Sequence, residues 1–262
     1  MDQSAIDHLI AVAADAADAA GAVIRPYFRA GVTTEVKADQ SPVTIADQAA
    51  ERALRAVLGE SFPDYGILGE EFGEHNAGAR LCWVLDPIDG TRAFITGRPA
   101  FGTLIALLQD GRPILGLIDQ PITGERWIGV AGRRTVFRGP LGGRAGCRRC
   151  ARIDQAELSL TSTEVFDPVD ARQWEQLHGA VCRTSFGGDC YAYGLLALGH
   201  IDVIAEATMH LWDWAALVPV IEGAGGRLTD WNGRRLTRHS DGHTLAVGDP
   251  ALLAQAIEIL AA

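Results

Sequence analysis

The amino-acid sequence predicts an α+β protein made of two sheet-and-helix units stacked through helices. Three features predict it: an N-terminal stretch of helical periodicity, a set of short β-rich runs beginning at Leu81, and alternation of strand-like and helix-like segments beyond residue 150. A chain of 262 residues with 48% hydrophobic side chains can bury a sizeable core, as one large domain or as two intimately packed halves.

Residues 4–29 set Ile6, Leu9, Ile10, Ala13, Ala17, Ala20 and Ile24 on one face, which predicts an amphipathic helix kinked at Pro26 and closing near Gly31. Thr44-Ile45-Ala46-Asp47 has the form of a capping box, so a second helix is predicted over 44–58, with Gly59 ending it. From Leu81 the runs LCWVLD, GTLIALL, PILGLID and ERWIGV are separated by turn signals at Asp110-Gly111 and Pro121-Ile122-Thr123-Gly124, the pattern of an antiparallel meander. GRRTVFRGPLGGRAGCRRCAR is rich in Gly and Arg and has little periodicity, which places a junction near residue 150 between halves 1–150 and 151–262. After it, ELSLTST, a helix near Val169 to His178, VCRTSF, a helix in CYAYGLLALG, IDVIAEA, a helix in WAALVPVIEGAG, GRLTDW, TLAVG and a last helix in ALLAQAIEIL alternate strand and helix.

Composition excludes several functions. A net charge of −10 argues against a nucleic-acid surface, which needs clustered basic residues. Lys37 is the only lysine and follows no glycine-rich run, so there is no Walker-A loop. Five cysteines, with no secretory leader and no apolar span, point to reduced thiols in the cytoplasm. Cys147 and Cys150 form a CxxC without a second pair, a poor zinc set. His239 and His243 have zinc-like spacing, but Gly242 between them makes a turn.

The informative stretch is WVLDPIDGTRAF, residues 83–94, where a buried-looking strand ends on Asp86 and Asp89. Pro87 withholds an N–H and fixes φ, which suits a chain leaving a sheet, and Asp89-Gly90-Thr91 opens a helix whose free N–H groups can receive an anion. Two further acids stand at element boundaries: Glu70 in Gly69-Glu70-Glu71 after YGIL, and Asp213 in Trp212-Asp213-Trp214. If Glu70, Asp86, Asp89 and Asp213 converge, their repulsion calls for cations or protons, and an all-oxygen set favours Mg²⁺ or Mn²⁺ over Zn²⁺. Each acid alone also has a local reading: Asp213 as an N-cap, Asp47 as the third residue of a capping box, Asp86-Pro87 as a turn opener. The spacing fits neither an EF-hand loop nor a DxDx[TV] phosphatase, whose acids stand two apart.

GEE at 69–71, WVLDPIDGT at 83–91 and WDWAALVPVIEGAGG at 212–226, in this order and separation, resemble the inositol monophosphatase family of Mg²⁺-dependent phosphatases over nearly the whole chain. The resemblance implies an α-β-α-β-α layered sandwich, usually a homodimer, acting on a small phosphate ester. It implies that Glu70, Asp86 and the Ile88 carbonyl hold one Mg²⁺ and Asp86, Asp89 and Asp213 a second, with a third, looser ion near Glu70 and Asp47. It also implies direct attack by a metal-activated water oriented by Glu70 and Thr91, with Gly90 and Thr91 N–H groups on the phosphate. Protonation of the leaving alkoxide falls near Asp213.

Departures from the pattern bear on the substrate. The sequence after DGT reads Arg92-Ala93-Phe94, and GGDCYAYGLLALGHID at 187–202 is similar to the histidinol-phosphate phosphatase branch of the family. Asp189 and Glu206 then become substrate-facing acids, with Arg92 and Asp213 beside them, matched by charge to a cationic leaving group. A cap role for Asp189 and plain solvent exposure for Arg92 are the local alternatives. An inositol or broader sugar-phosphate phosphatase is the second reading, and a catalytically silent metal-binding or interaction protein a third.

Overall fold

The computed structural model describes residues 2–31, 34–36 and 42–262; Lys37 lies outside them. Helix α1, Gln3–Ile24, is capped by the Asp2 carboxylate on the Ala5 N–H. Its end tightens into a 3₁₀ turn at Arg25–Tyr27, where Pro26 sits in the first turn. A short ladder of β1, Thr34–Val36, and β2, Pro42–Thr44, leads into α2, Ile45–Ser61. The capping box is present in both directions between Thr44 and Asp47. The predicted stop at Gly59 is not: α2 runs through it and ends at Phe62, which precedes Pro63 and is pushed out of the helical region to φ −137°.

The first sheet is built from β3, Gly66–Gly69; β4, Gly73–His75; β5, Leu81–Asp89; β6, Gly102–Gln109; β7, Arg112–Gln120; β8, Glu125–Val130; and β9, Val136–Arg138, with α3, Thr91–Ile95, between β5 and β6. Its order is β4-β3-β5-β6-β7-β8-β9. β5 to β8 form the predicted antiparallel meander; β9, in the stretch expected to be an aperiodic junction, extends it antiparallel to β8, and β3 pairs parallel to β5 and makes the sheet mixed.

The rest of the chain supplies β10, Glu157–Leu160; α4, Pro168–Ala180; β11, Arg183–Phe186; α5, Asp189–Ala197; β12, Val203–Glu206; α6, Leu211–Trp214; α7, Leu217–Ala224; β13, Arg227–Thr229; β14, Thr244–Val247; and α8, Ala251–Leu260. The second sheet has order β11-β10-β12-β14-β13. β10 is parallel to both its neighbours, and β14 is antiparallel to both of its own.

Strand periodicity sorts these elements into layers, because successive side chains point to opposite faces. On β5 and β6, Trp83, Leu85, Ile105 and Leu107 pack against α1 and α2, while Val84, Leu104, Ala106 and Leu108 face α5, α6 and α7. On the second sheet Ile204 and Ala246 meet those same helices, and Val203, Ala205, Leu245 and Val247 pack with α4 and α8. The result is an α-β-α-β-α sandwich, with α5 to α7 as the central layer between the sheets. Among the described residues no helix is long and apolar enough to cross a membrane.

Candidate active site

The two acids of DPIDGT end on one side of β5 because the strand carries a bulge. Residues three apart in a regular strand face opposite ways. Here Asp86 pairs with Leu104 and Asp89 with Gly102, so three steps on β5 oppose two on β6, and the extra residue restores the parity. The Thr103 hydroxyl, itself buried, donates to the Pro87 carbonyl at 2.8 Å and fixes the bulge. Asp86 also accepts from the Ile88 N–H at 3.0 Å.

α6 brings the third acid. Asp213 is the third residue of that helix rather than its N-cap, and its carboxylate accepts from the His210 N–H at 2.7 Å in a reciprocal box. Carboxylate oxygens of Asp86, Asp89 and Asp213 all lie within 4.8 Å of one another. Glu70 follows β3, and its N–H donates to the Leu85 carbonyl at 3.2 Å, which places it beside Asp86. Asp47, buried on α2, accepts from the Thr44 N–H and hydroxyl at 2.8 and 2.6 Å, and the Thr91 hydroxyl lies 3.3 Å from its other oxygen. The same hydroxyl is 3.2 Å from the Ile88 carbonyl.

Electrostatics mark this cluster. Burial, reinforced by Glu70, Asp89 and Asp213, raises the Asp86 carboxyl well above the usual range. Burial and then the Asp89 charge do the same to Asp213. Asp89 is pushed to about 7 by burial and the Asp189 charge, although the Cys190 N–H, 2.7 Å away, favours its ionised form. Among the described residues no Arg or Lys pairs with Asp86, Asp89 or Asp213. Three converging carboxylates without a protein cation form a hard all-oxygen donor set, which fits Mg²⁺ or Mn²⁺.

Gly90 caps α3 at φ +88°, in the left-handed region, and a Cβ there would sit 2.8 Å from the Asp189 side chain. This close approach seats Asp189 against the DPIDGT turn. Asp189 opens α5 at φ +44° and makes no capping bond, so the alternative reading of it as a cap does not hold. Burial raises its carboxyl to about 6, against the opposing pull of Arg98 and Arg92. Glu206, at the end of β12, accepts from the Thr161 N–H and hydroxyl at 3.0 and 2.8 Å, yet burial pushes it to about 8.

Asp89, Asp189, Glu206 and Asp213 line one cavity of about 130 Å³, with Tyr193 and Met209 on its walls. Arg92 stands outside it, in an exposed pair with Glu164 at 2.7 Å, on the rim of an adjoining cavity of about 370 Å³ that shares Thr161 and Asp189. Sequence reasoning missed Thr161, Tyr193, Met209 and the fully buried Glu51. Only Glu51 carried a signal, its four-residue spacing from Asp47 on α2. The two discounted metal motifs lie elsewhere: Cys147 and Cys150 join different apolar clusters, and His243 sits between Asp170 and Asp241.

The inositol monophosphatase family model matches residues 5–261. The chain is 45% identical to the bifunctional phosphatase IMPL2, chloroplastic, of Arabidopsis thaliana, over 99% of this chain and 77% of that one. It is 38% identical to the histidinol-phosphatase of Mycobacterium tuberculosis over 83% and 85% of the two chains. The structure of an inositol monophosphatase from Zymomonas mobilis, 46% identical, superposes with a TM-score of 0.89 over 100% of both chains. The chain belongs to the inositol monophosphatase family, whose members are metal-dependent phosphatases. Within that family it is similar to proteins named histidinol-phosphatase.

Proposed function

We propose that the protein hydrolyses L-histidinol phosphate to L-histidinol and phosphate, a step of histidine biosynthesis. The observation that carries this reading is the cavity in which Asp189 and Glu206 face the Asp89–Asp213 corner of the carboxylate cluster. Two acids with raised pKa values, of which only Asp189 faces arginine charge, suit a leaving group that brings its own cations, an amine and an imidazole. Relatives named histidinol-phosphatase, at 36–38% identity, support the same substrate.

Glu70, Asp86, the Ile88 carbonyl, Asp89 and Asp213 would hold two Mg²⁺ ions, with Asp47 near a third; Mn²⁺ suits the same oxygens. When bound, the ions neutralise phosphoryl charge and lower the pKa of a nearby water. The chain's own residues do the rest. A Thr91 hydroxyl that donates to Asp47 or to the Ile88 carbonyl keeps its oxygen free to accept a hydrogen bond from the attacking water, and through its bond to Asp47 it can pass a proton on to that carboxylate. The Glu70 carboxylate is a second acceptor for that water. Gly90 and Thr91 N–H groups, at the start of α3, have no intrahelical acceptor and would bind the phosphate oxygens. Asp213, on the leaving-group side, holds the proton donor to the departing alkoxide in place, and Arg92 guards the cavity rim. The proposal includes a homodimer in the cytoplasm, with residues 1–150 carrying GEE and DPIDGT and residues 151–262 carrying the WD motif and the substrate acids.

An inositol or broader sugar-phosphate phosphatase is the second reading, favoured by the 46% identity to the Zymomonas mobilis inositol monophosphatase. Phosphate release from histidinol phosphate and inositol 1-phosphate under matched conditions decides between them. The first reading expects a higher kcat/KM for histidinol phosphate, and equal or reversed values sink it.

A further inference from the structure

Helix α2 carries a second buried acid one turn beyond Asp47. The Glu51 carboxylate is 0% exposed; it accepts from the Glu71 N–H at 2.7 Å and the Phe72 N–H at 3.2 Å, and pairs with Arg55 Nε at 2.7 Å. Arg55 also donates to the Gly73 carbonyl, and the Arg52 guanidinium lies over the Phe72 ring, 5.1 Å from its centroid. One face of α2 thus grips the chain from Glu71 to Gly73, directly after Glu70. Gly69 completes the fit from the other side: a Cβ there would lie 2.0 Å from Glu51 Oε1. The carboxylate fills the space that any other residue at 69 would need.

A buried carboxylate is costly unless paired and hydrogen-bonded, and its removal leaves its partners stranded. Here the partners are Arg55 and two backbone N–H groups of the turn that bears Glu70. We infer that Glu51 is a positioning residue, which fixes the Gly69–Phe72 turn so that the Glu70 side chain is held at the metal site. The inference rests on the role of Glu70 proposed above. Asp47 and Glu51, four residues apart, make α2 a single strut: one acid meets the Thr91 hydroxyl, and the other sets the backbone that carries Glu70.

The test compares wild type, Glu51→Gln, Gly69→Ala and Glu70→Gln. Mn²⁺ binding is read by the electron paramagnetic resonance of the free ion, kinetics are read across Mg²⁺ concentration, and circular dichroism checks folding. Glu51→Gln places an NH₂ where an acceptor is required, and Gly69→Ala keeps the carboxylate but evicts it. Both are expected to weaken Mn²⁺ binding by about 10- to 100-fold, the range for residues that orient metal ligands. Activity should fall further at limiting than at saturating Mg²⁺. Unchanged Mn²⁺ affinity and Mg²⁺ dependence in either folded variant, with losses confined to thermal stability, overturns the inference. If Glu51→Gln does not fold, Gly69→Ala decides. Full Mn²⁺ binding and activity in Glu70→Gln would instead remove the role of Glu70, and the inference with it.

Discussion

The Thr103 hydroxyl donates to the Pro87 carbonyl at 2.8 Å, and this bond pins the bulge that turns Asp86 and Asp89 to the same side of β5. Thr103→Val keeps the shape but leaves a buried carbonyl without its donor, a loss of about 1–3 kcal/mol. Part of that loss should appear as a misaligned carboxylate pair. We predict a Tm lower by several degrees, at about 2–4 °C per kcal/mol for a chain of this size, together with a fall in kcat/KM of roughly tenfold. Wild-type activity in a destabilised variant would mean that the bulge holds its geometry without this bond.

The carboxylate cluster trades stability for function. An acid whose folded pKa is raised destabilises the fold fully at pH above the folded value, and the penalty shrinks as pH falls below that value and is gone below the unfolded one. Asp213 is held well above the usual range, so Asp213→Asn removes repulsion near neutral pH. In chelator, the variant is expected to melt a few degrees above wild type, the gain of about 1 kcal/mol common when an active-site charge is neutralised. Adding Mg²⁺ should then raise the Tm of wild type but not of the variant, and the variant should lack activity. A lower Tm in chelator would show that the charge assistance which the carboxylate gives its bond from the His210 N–H outweighs the repulsion.

How much of this was legible in the sequence varied with how local the cause is. The capping box at Thr44 and Asp47 and the turns of the meander are set by neighbours in the chain, and they read correctly. The end of α2 did not: Gly59 takes an ordinary helical place, and the stop comes from Pro63 acting on Phe62. The parallel pairing of β3 with β5 joins segments separated by the β4 hairpin, and no local pattern encodes it. The acids of the cluster were legible because three motifs placed each at an element boundary. Glu51 offered only its four-residue spacing from Asp47, and its burial was not legible, since an acid in mid-helix ordinarily faces solvent and only the missing Cβ of Gly69 opens a buried place for it. Asp189 was singled out in the sequence, but its left-handed backbone and its contact with Gly90 were not foreseen, because they arise from the packing of α5 on the DPIDGT turn.

Glu206 and Asp189 should govern which ester is accepted. Removing one member of a buried charge pair costs at least about 2 kcal/mol, or roughly thirtyfold, when the partner is a cation. Glu206→Gln is therefore expected to raise KM for histidinol phosphate by that factor while changing inositol 1-phosphate hydrolysis only a few-fold. Asp189→Asn should act in the same direction and more weakly, because Arg92 and Arg98 already offset its charge. Equal losses on both esters would assign these acids to the shared phosphatase chemistry rather than to recognition.

His243 makes a separate prediction about stability. Its Nδ1 lies 3.1 Å from Asp241 Oδ1, and its Nε2 lies 3.0 Å from Asp170 Oδ1, close enough to pair charges but without hydrogen-bond alignment. Burial pushes the imidazole down, yet the two carboxylates outweigh it, and the pKa is raised. The stabilisation is then complete below the unfolded value of about 6.5 and is lost as pH rises through the higher folded value. Wild type should lose about 0.5–1 kcal/mol between pH 6 and the upper end of that titration, the scale of a partly exposed ion pair. His243→Gln should start lower at pH 6, and its Tm should converge on that of wild type as pH rises. The loop matters beyond stability, since the Gly242 carbonyl accepts from the N–H of Met209, a wall of the leaving-group cavity. KM for the cationic ester should therefore drift upward over the same pH interval more in wild type than in the variant, beyond the drift that titration of the substrate's own imidazole gives both proteins. Parallel Tm curves for the two proteins would show that the His243 charge contributes nothing to the fold.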